Sequence, residues 1–355
     1  MRKIILLLLC LFIFNFMAFA QTIIENPKKP LSRNAGRVLK LEEVFRITDE
    51  RENFYLKSPG NLKLSSDGFI YIKDMEQLLK FSSEGKFIKN LFKKGQGPGE
   101  VSTAFSYSYS IYKDEIYIYD RGSNKIIRTD LNGNMTEEKR LKTFPGSFLY
   151  ITDHWLIFWK QIWPPQGEWK SQIYDLKNNF ILVSKEEETE KKIHDFPTKM
   201  FLAPRAASSW TNLYWILDNE NEQLYISHTG EYLIKSLDLE KGEITRSFRR
   251  KYPRVKYEMK EWDKKFYKLH HPPKKKFESD VLGLFVCDGF LWVKTSTKYE
   301  TKGILIDVFN KEGKYVDNFY LNHEGSLMAA HGDFIFVKET DEDENIQIVK
   351  YKIVE

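Results

Sequence analysis

Apolar and polar residues alternate in short runs along most of the chain, and turn pairs rather than helix caps punctuate those runs. The clearest unit starts Leu62-Lys63-Leu64-Ser65-Ser66-Asp67-Gly68-Phe69-Ile70-Tyr71-Ile72-Lys73-Asp74 and goes on Gln77-Leu78-Leu79-Lys80-Phe81-Ser82-Ser83-Glu84-Gly85-Lys86-Phe87-Ile88. Period-two alternation broken at Asp-Gly, at Asp74 and at Glu-Gly predicts four short antiparallel strands. The same grammar returns at 114–134, 153–175, 213–243, 288–313 and 332–351, which makes six units. A small sheet cannot bury both faces alone, whereas repeated sheets packed about an axis bury one another. The pattern therefore predicts an all-β, six-bladed β-propeller with four-stranded blades. Val38 to Ile47 also reads as a strand, and the last unit reaches Glu355 without an obvious fourth one. Pairing of these N- and C-terminal strands is expected to close the ring.

The N-terminus departs from this grammar. Met1-Arg2-Lys3 is cationic, Ile4 to Phe16 is apolar, and Ala18-Phe19-Ala20 is the small-x-small pattern a signal peptidase accepts. A run so short and so placed reads as a signal peptide, 1–20, rather than a membrane span. Residues 21–37 then read as a linker and 38–355 as the propeller, exported to the periplasm or beyond. Cleavage after Ala20 leaves Cys287 as the single cysteine, so no intramolecular disulfide is expected. Cys287 sits in an apolar strand-like run and reads as a small buried hydrophobe.

Charge changes the picture at one place. The segment 249–280, between the fourth and fifth units, holds twelve Lys and Arg against five Asp and Glu. Val255, Met259, Trp262 and Phe266 step by four, three and four, which predicts a short amphipathic helix stopped by Pro272-Pro273. One reading is a solvated lid whose aromatic side packs on the propeller. The other is a basic, aromatic rim for an anionic glycan, a cell-wall fragment or another envelope protein. The chain as a whole carries a net charge of only +5, which argues against nucleic acid.

Strand geometry sends the second-to-third turn and the blade-to-blade connection of each blade to one face. That face should carry the junction Lys93-Lys94-Gly95-Gln96-Gly97-Pro98-Gly99-Glu100, the loop Trp163 to Trp169, the stretch Met200 to Ser209 and the charged insert. Ligand-binding candidates there are Lys94, Gln96, Glu100, Trp163, Arg205 and Trp262. The glycines of the junction suit either a nest of N–H groups for an anion or positive φ in a tight turn, and the turn is the simpler reading. Arg205 suits anion contact or a buried ion pair. Asp74, Asp120 and Asp218 read as the ends of second strands, where a carboxylate caps the turn; a ring of them near the axis would instead suit calcium. The regularity of the repeat favours capping, so no cofactor is expected. His-x-His, His-Glu-x-x-His and Gly-x-Ser-x-Gly patterns are absent from the sequence.

The repeated unit resembles NHL-type and TolB-like six-bladed propellers. The junction Lys93 to Glu100, with Phe277-Glu278-Ser279-Asp280 and Gly303-Ile304-Leu305-Ile306-Asp307-Val308, is similar to an uncharacterised family of secreted bacterial six-bladed propellers. That resemblance implies a fold and a compartment but no reaction. Two functions stay open: a non-enzymatic binding module of the bacterial envelope, or a propeller enzyme such as a metal-dependent lactonase-like hydrolase or a polysaccharide lyase.

Overall fold

The computed structural model describes residues 23–50, 52–103, 107–186 and 189–354. The signal segment expected at 1–20 lies outside the described residues. Blade one is Gly60–Leu64, Ile70–Asp74, Gln77–Phe81 and Phe87–Asn90, each strand paired to the next. Blade two is Tyr107–Tyr112, Glu115–Asp120, Lys125–Asp130 and Met135–Arg140. Blade three is Ser147–Ile151, Trp155–Ile162, Gln172–Ser184 and Glu190–Asp195. Blade four is Tyr214–Asp218, Gln223–Ser227, Ile234–Asp238 and Glu243–Arg250. Blade five is Val281–Cys287, Phe290–Tyr299, Gly303–Phe309 and Tyr315–Leu321, and blade six is Ser326–His331, Phe334–Thr340 and Ile346–Val354. Lys40–Ile47 pairs antiparallel with Ile346–Val354 and completes blade six, so the two ends of the chain share one sheet as expected.

Why the inner strands are apolar almost throughout follows from what lies on each side. Successive side chains of a strand point to opposite faces. Ile70 and Ile72 enter a core shared with Phe336 and Ile348 of blade six, while Tyr71 between them enters a core shared with Tyr109 and Ile116 of blade two. All three are fully buried. The same sharing recurs around the ring, with Phe148 and Phe158 facing blade two, Phe180 and Leu182 facing blade four, and Leu327 and Val337 facing blade five. Each large side chain buried this way contributes roughly 2 kcal/mol.

Three parts of the sequence reading need correction. The stretch read as a linker is a structured belt on the outer rims of blades four and five. Ile23–Asn26 adds a parallel fifth strand to Glu243–Arg250 of blade four, and Arg37–Val38 pairs parallel with Phe319 and Tyr320 of blade five before the closing strand begins at Lys40. Asn26, 6% exposed, ties blade four to blade five. Its amide donates to the Arg249 and Gly313 carbonyls at 3.2 and 2.9 Å and its Oδ1 accepts the Tyr315 N–H at 2.9 Å. Second, Tyr214–Asp218 is the first strand of blade four, not the second. Asp218 therefore lies at the opposite end of its blade from Asp74 and Asp120, which do end second strands. Third, the helix of the insert spans Glu261–His270, so Val255 and Met259 precede it. It ends where His271 turns left-handed, at φ 48°, ahead of the two prolines.

A buried ion pair also joins blades four and five. Arg250 donates to Asp307 through Nε at 2.6 Å and Nη2 at 3.1 Å. The Tyr232 and Tyr315 hydroxyls donate to the same carboxylate at 2.8 and 2.7 Å. The guanidinium also lies over the rings of Tyr252, Tyr315 and Tyr232, 4.8, 5.1 and 5.4 Å from their centroids. Asp307 holds the guanidinium charged, and burial keeps both phenols protonated as donors.

Candidate functional site

Most of the polar groups singled out in the sequence are used up by the fold. At the junction between blades one and two, the Gly97 N–H donates to Glu100 Oε2 at 2.8 Å. A Cβ on Gly95 would sit 1.9 Å from that oxygen, so the glycine is there to let the carboxylate in. The Gly99 N–H donates to Glu138 at 2.8 Å, and the buried Lys125 ammonium bridges Glu138 and the Gly97 carbonyl at 3.0 and 3.1 Å. Burial opposes ionisation of Glu138, yet the Gly99 N–H and Lys125 outweigh it and hold the carboxyl below its ordinary value. The glycine loop thus accepts an anion, and the anion is the protein's own. Lys94 and Gln96 lie on its exposed side, Lys94 in an ion pair with Glu76 at 2.8 Å.

The three aspartates are committed in the same way. Asp74 accepts the Lys57 and Ser58 N–H groups at 2.7 and 2.9 Å, and burial pushes its carboxyl up. Asp120 accepts from the Ser102 N–H at 2.9 Å and from the Ser123 hydroxyl at 2.6 Å. These bonds outweigh burial and hold it below its ordinary value. Asp218 accepts the Asn221 amide at 2.8 Å. Among the described residues no three His, Cys, Asp or Glu side chains cluster in a way that would hold a metal ion.

The blade-three and blade-four loops build something new. Met200 to Ser209 is not a plain connection: Thr198–Ala203 and Ala206–Ser209 form a hairpin that extends the blade-three sheet along the first half of Gln172–Ser184. Arg205 sits at the exposed tip of that hairpin, which corrects the buried ion pair expected of it. Trp163, 42% exposed, stacks on Trp169 with centroids 5.8 Å apart and planes at 27°. The charged insert leaves the same face. Its two arms pair through Lys256 and Phe277, with the Tyr257 N–H on the Lys276 carbonyl at 3.1 Å and the Glu278 N–H on the Val255 carbonyl at 2.9 Å. Its helix leans on the hairpin, Phe266 edge-on to Phe201 at 5.9 Å. Trp262 lies on that helix, and its side chain is outside the described ones.

Between hairpin, insert and the turn after Gln223–Ser227 of blade four lies a groove of about 560 Å³. Lys199 and Trp210 come from the hairpin side, His228 from the turn, and Arg254 and Lys274–Lys276 from the insert. Arg254 anchors the root of the insert, donating to Asp280 Oδ1 at 3.0 Å and to the Gly230 carbonyl at 2.8 Å. His228 and Ser279, 6% and 4% exposed, also line the groove. The His228 Nδ1 lies 2.9 Å from the Pro197 carbonyl, while its Nε2 and the Ser279 hydroxyl have no hydrogen-bond partner among the described residues. Burial lowers the His228 pKa, Lys235 and His194 lower it further, and the Pro197 bond opposes them. A carbonyl can only accept, so the neutral ring carries its proton on Nδ1 and offers Nε2 as an acceptor. Orphaned polar atoms of this kind are rare in folded proteins. Sequence reasoning found the insert, with Ser279 quoted only as part of a family-like stretch, but missed His228 and Trp210, which carry no motif.

The family model described as a 6-bladed beta-propeller, DUF5128, matches residues 48–205. No curated protein matches the chain. Among solved structures, a member of the DUF4221 family from Bacteroides vulgatus is similar at 10% identity and a TM-score of 0.55, over 90% of this chain and 99% of that one. A putative exported protein from Bacteroides fragilis is similar at 15% identity and a TM-score of 0.51, over 94% and 100%. A gluconolactonase from Xanthomonas campestris gives 11% identity and a TM-score of 0.48, over 91% and 96%. Among the described residues no helix is long and apolar enough to cross a membrane. Repeat, closed ring and family match agree on the fold: the chain is a six-bladed β-propeller.

Proposed function

We propose that this chain is an exported, non-enzymatic binding propeller of the bacterial envelope that takes an anionic glycan or cell-wall fragment on its insert-bearing face. The observation that carries the reading is the groove itself. Lys199, Arg254 and Lys274–Lys276 line it against the acidic Asp175, Glu231 and Glu278, and Trp210 supplies an aromatic wall. Its volume falls in the range of roughly 300–1,000 Å³ found for small-ligand sites. Export rests on the cationic and apolar start Met1 to Ala20. The carboxylates that a metal-dependent hydrolase would need at the strand ends are instead engaged by N–H and hydroxyl donors, which favours binding over catalysis.

The test is a thermal-shift titration of the chain from Gln21 to Glu355 with polygalacturonate, alginate, a neutral glucan, and calcium with and without chelator. A ligand at a hundred times its dissociation constant adds about 2.7 kcal/mol of apparent stability. The expected result is a rise with the two polyanions that fades with salt and is lost in a Lys274→Glu, Lys276→Glu double variant. No rise with either polyanion, or an equal rise with the neutral glucan, overturns the proposal. A calcium-dependent rise reversed by chelator would favour the enzyme instead.

A further inference from the structure

Resting on that reading of the groove, we infer that it recognises a hydroxylated anion, the sugar-acid residue of a glycan, with His228 and Ser279 meeting ligand hydroxyls and the insert lysines meeting the carboxylate. Basic side chains alone would accept any anion, so the specificity must come from the groove's other polar groups. His228 and Ser279 are more than nine-tenths buried, line the same groove, and stand on different elements, the blade-four turn and the root of the insert. Each leaves a polar atom unpartnered among the described residues. An unmatched acceptor is costly unless a donor arrives. The His228 Nδ1–H is spent on the Pro197 carbonyl, so Nε2 asks for a donor rather than for a second anion. Hydroxyls provide such donors, and an ionised carboxylate does not. Ser279, donor and acceptor at once, is matched by a hydroxyl of the same kind.

The arrangement also fixes where the two halves of such a ligand go. Lys274 and Lys276 lie on the exposed returning arm of the insert, so charge is met at the mouth, while the buried His228 and Ser279 form the neutral depth. Trp210, half-buried on the hairpin side, offers the apolar face against which the carbon face of a sugar ring packs.

Calorimetry on the whole chain from Gln21 separates this inference from the parent proposal. The probes are trigalacturonate, its methyl ester, polyacrylate as an anion without hydroxyls, and inorganic phosphate. Trigalacturonate is expected to bind at least about tenfold tighter per site than polyacrylate or phosphate, and than its neutral ester. His228→Phe should weaken trigalacturonate by about tenfold and leave polyacrylate within twofold. Ser279→Ala should weaken trigalacturonate by several-fold, and it removes a single oxygen, so it serves if the histidine variant does not fold. If all anions bind alike and neither variant discriminates, this inference fails and the groove is a general anion site. If the variants change melting temperature but no affinity, His228 and Ser279 hold an internal water only, and the inference again fails. If no anion binds, the parent proposal fails with it.

Discussion

Replacing Asp307 by Ala should nearly unfold the propeller, and the magnitude follows from what the carboxylate holds. Asp307 is fully buried and Arg250 is 3% exposed at its side chain. Removing the carboxylate strands the guanidinium in a site that offers three aromatic faces and no counter-charge. Breaking a buried pair from one side costs about 3–5 kcal/mol. The Tyr232 and Tyr315 hydroxyls lose their acceptor too, at about 1 kcal/mol each. A total near 6 kcal/mol would consume much of the ~5–15 kcal/mol by which a typical domain is stable. The double variant Arg250→Met, Asp307→Leu removes both charges, and it should recover most of the loss, because apolar replacement of a buried pair is close to neutral. Urea unfolding followed by tryptophan fluorescence reads both. A loss below about 1 kcal/mol for Asp307→Ala, or a double variant as unstable as the single, would refute the view that this pair clamps blade four to blade five.

Three further outcomes follow. Asn26→Ala removes three hydrogen bonds and leaves the Tyr315 N–H unpaired, so urea unfolding should show a loss of about 3 kcal/mol; a loss under 0.5 kcal/mol would mean the belt is decorative. The His228 pKa lies below its ordinary 6.5, through burial and the nearby Lys235 and His194, so its contribution to stability is full above 6.5 and is lost as pH falls through the lowered value. The melting temperature should therefore drop more steeply below pH 6.5 in the native protein than in His228→Phe, and parallel curves would sink that account. Burial pushes the Cys287 thiol up to about 12, so iodoacetamide at pH 8 should leave the folded protein unlabelled and modify it once urea is added. Rapid labelling of the native chain would show that the blade-five core opens readily.

What the sequence made legible was what repeats. Period-two runs recur in every blade, several of them broken at Asp-Gly, Glu-Gly or Asn-Gly pairs, and they reported strands, turns and ring size without any tertiary knowledge. Blade four was misread by one strand because Asp218-Asn219-Glu220-Asn221 resembles the second-to-third turn at Asp120, while its true second strand, Gln223–Ser227, is only five residues long. The belt was invisible for a different reason. Ile23–Asn26 is four residues with no alternation to speak of, and it is held by partners more than two hundred residues away. The charged insert announced itself by composition. The groove did not, since it exists only where three segments meet, and an orphaned imidazole nitrogen such as that of His228 is a property of packing.

The belt has a consequence for how the molecule is made. Residues 23–47 emerge before all six blades, yet their partners are the outer strands of blades four and five and the third strand of blade six, each made some two to three hundred residues later. Asn26 waits for Tyr315, 289 residues downstream. Until then the rims of those sheets stay open, and open strand edges invite pairing with other chains and attack by proteases. A chain cut short before the outer strand of blade five would keep its early blades but leave Arg37–Val38 and Lys40–Ile47 without their partners. The belt thereby gives every one of its strands a partner only when Ile346–Val354 is also in place, so that unfinished copies keep an unpaired segment and are open to removal.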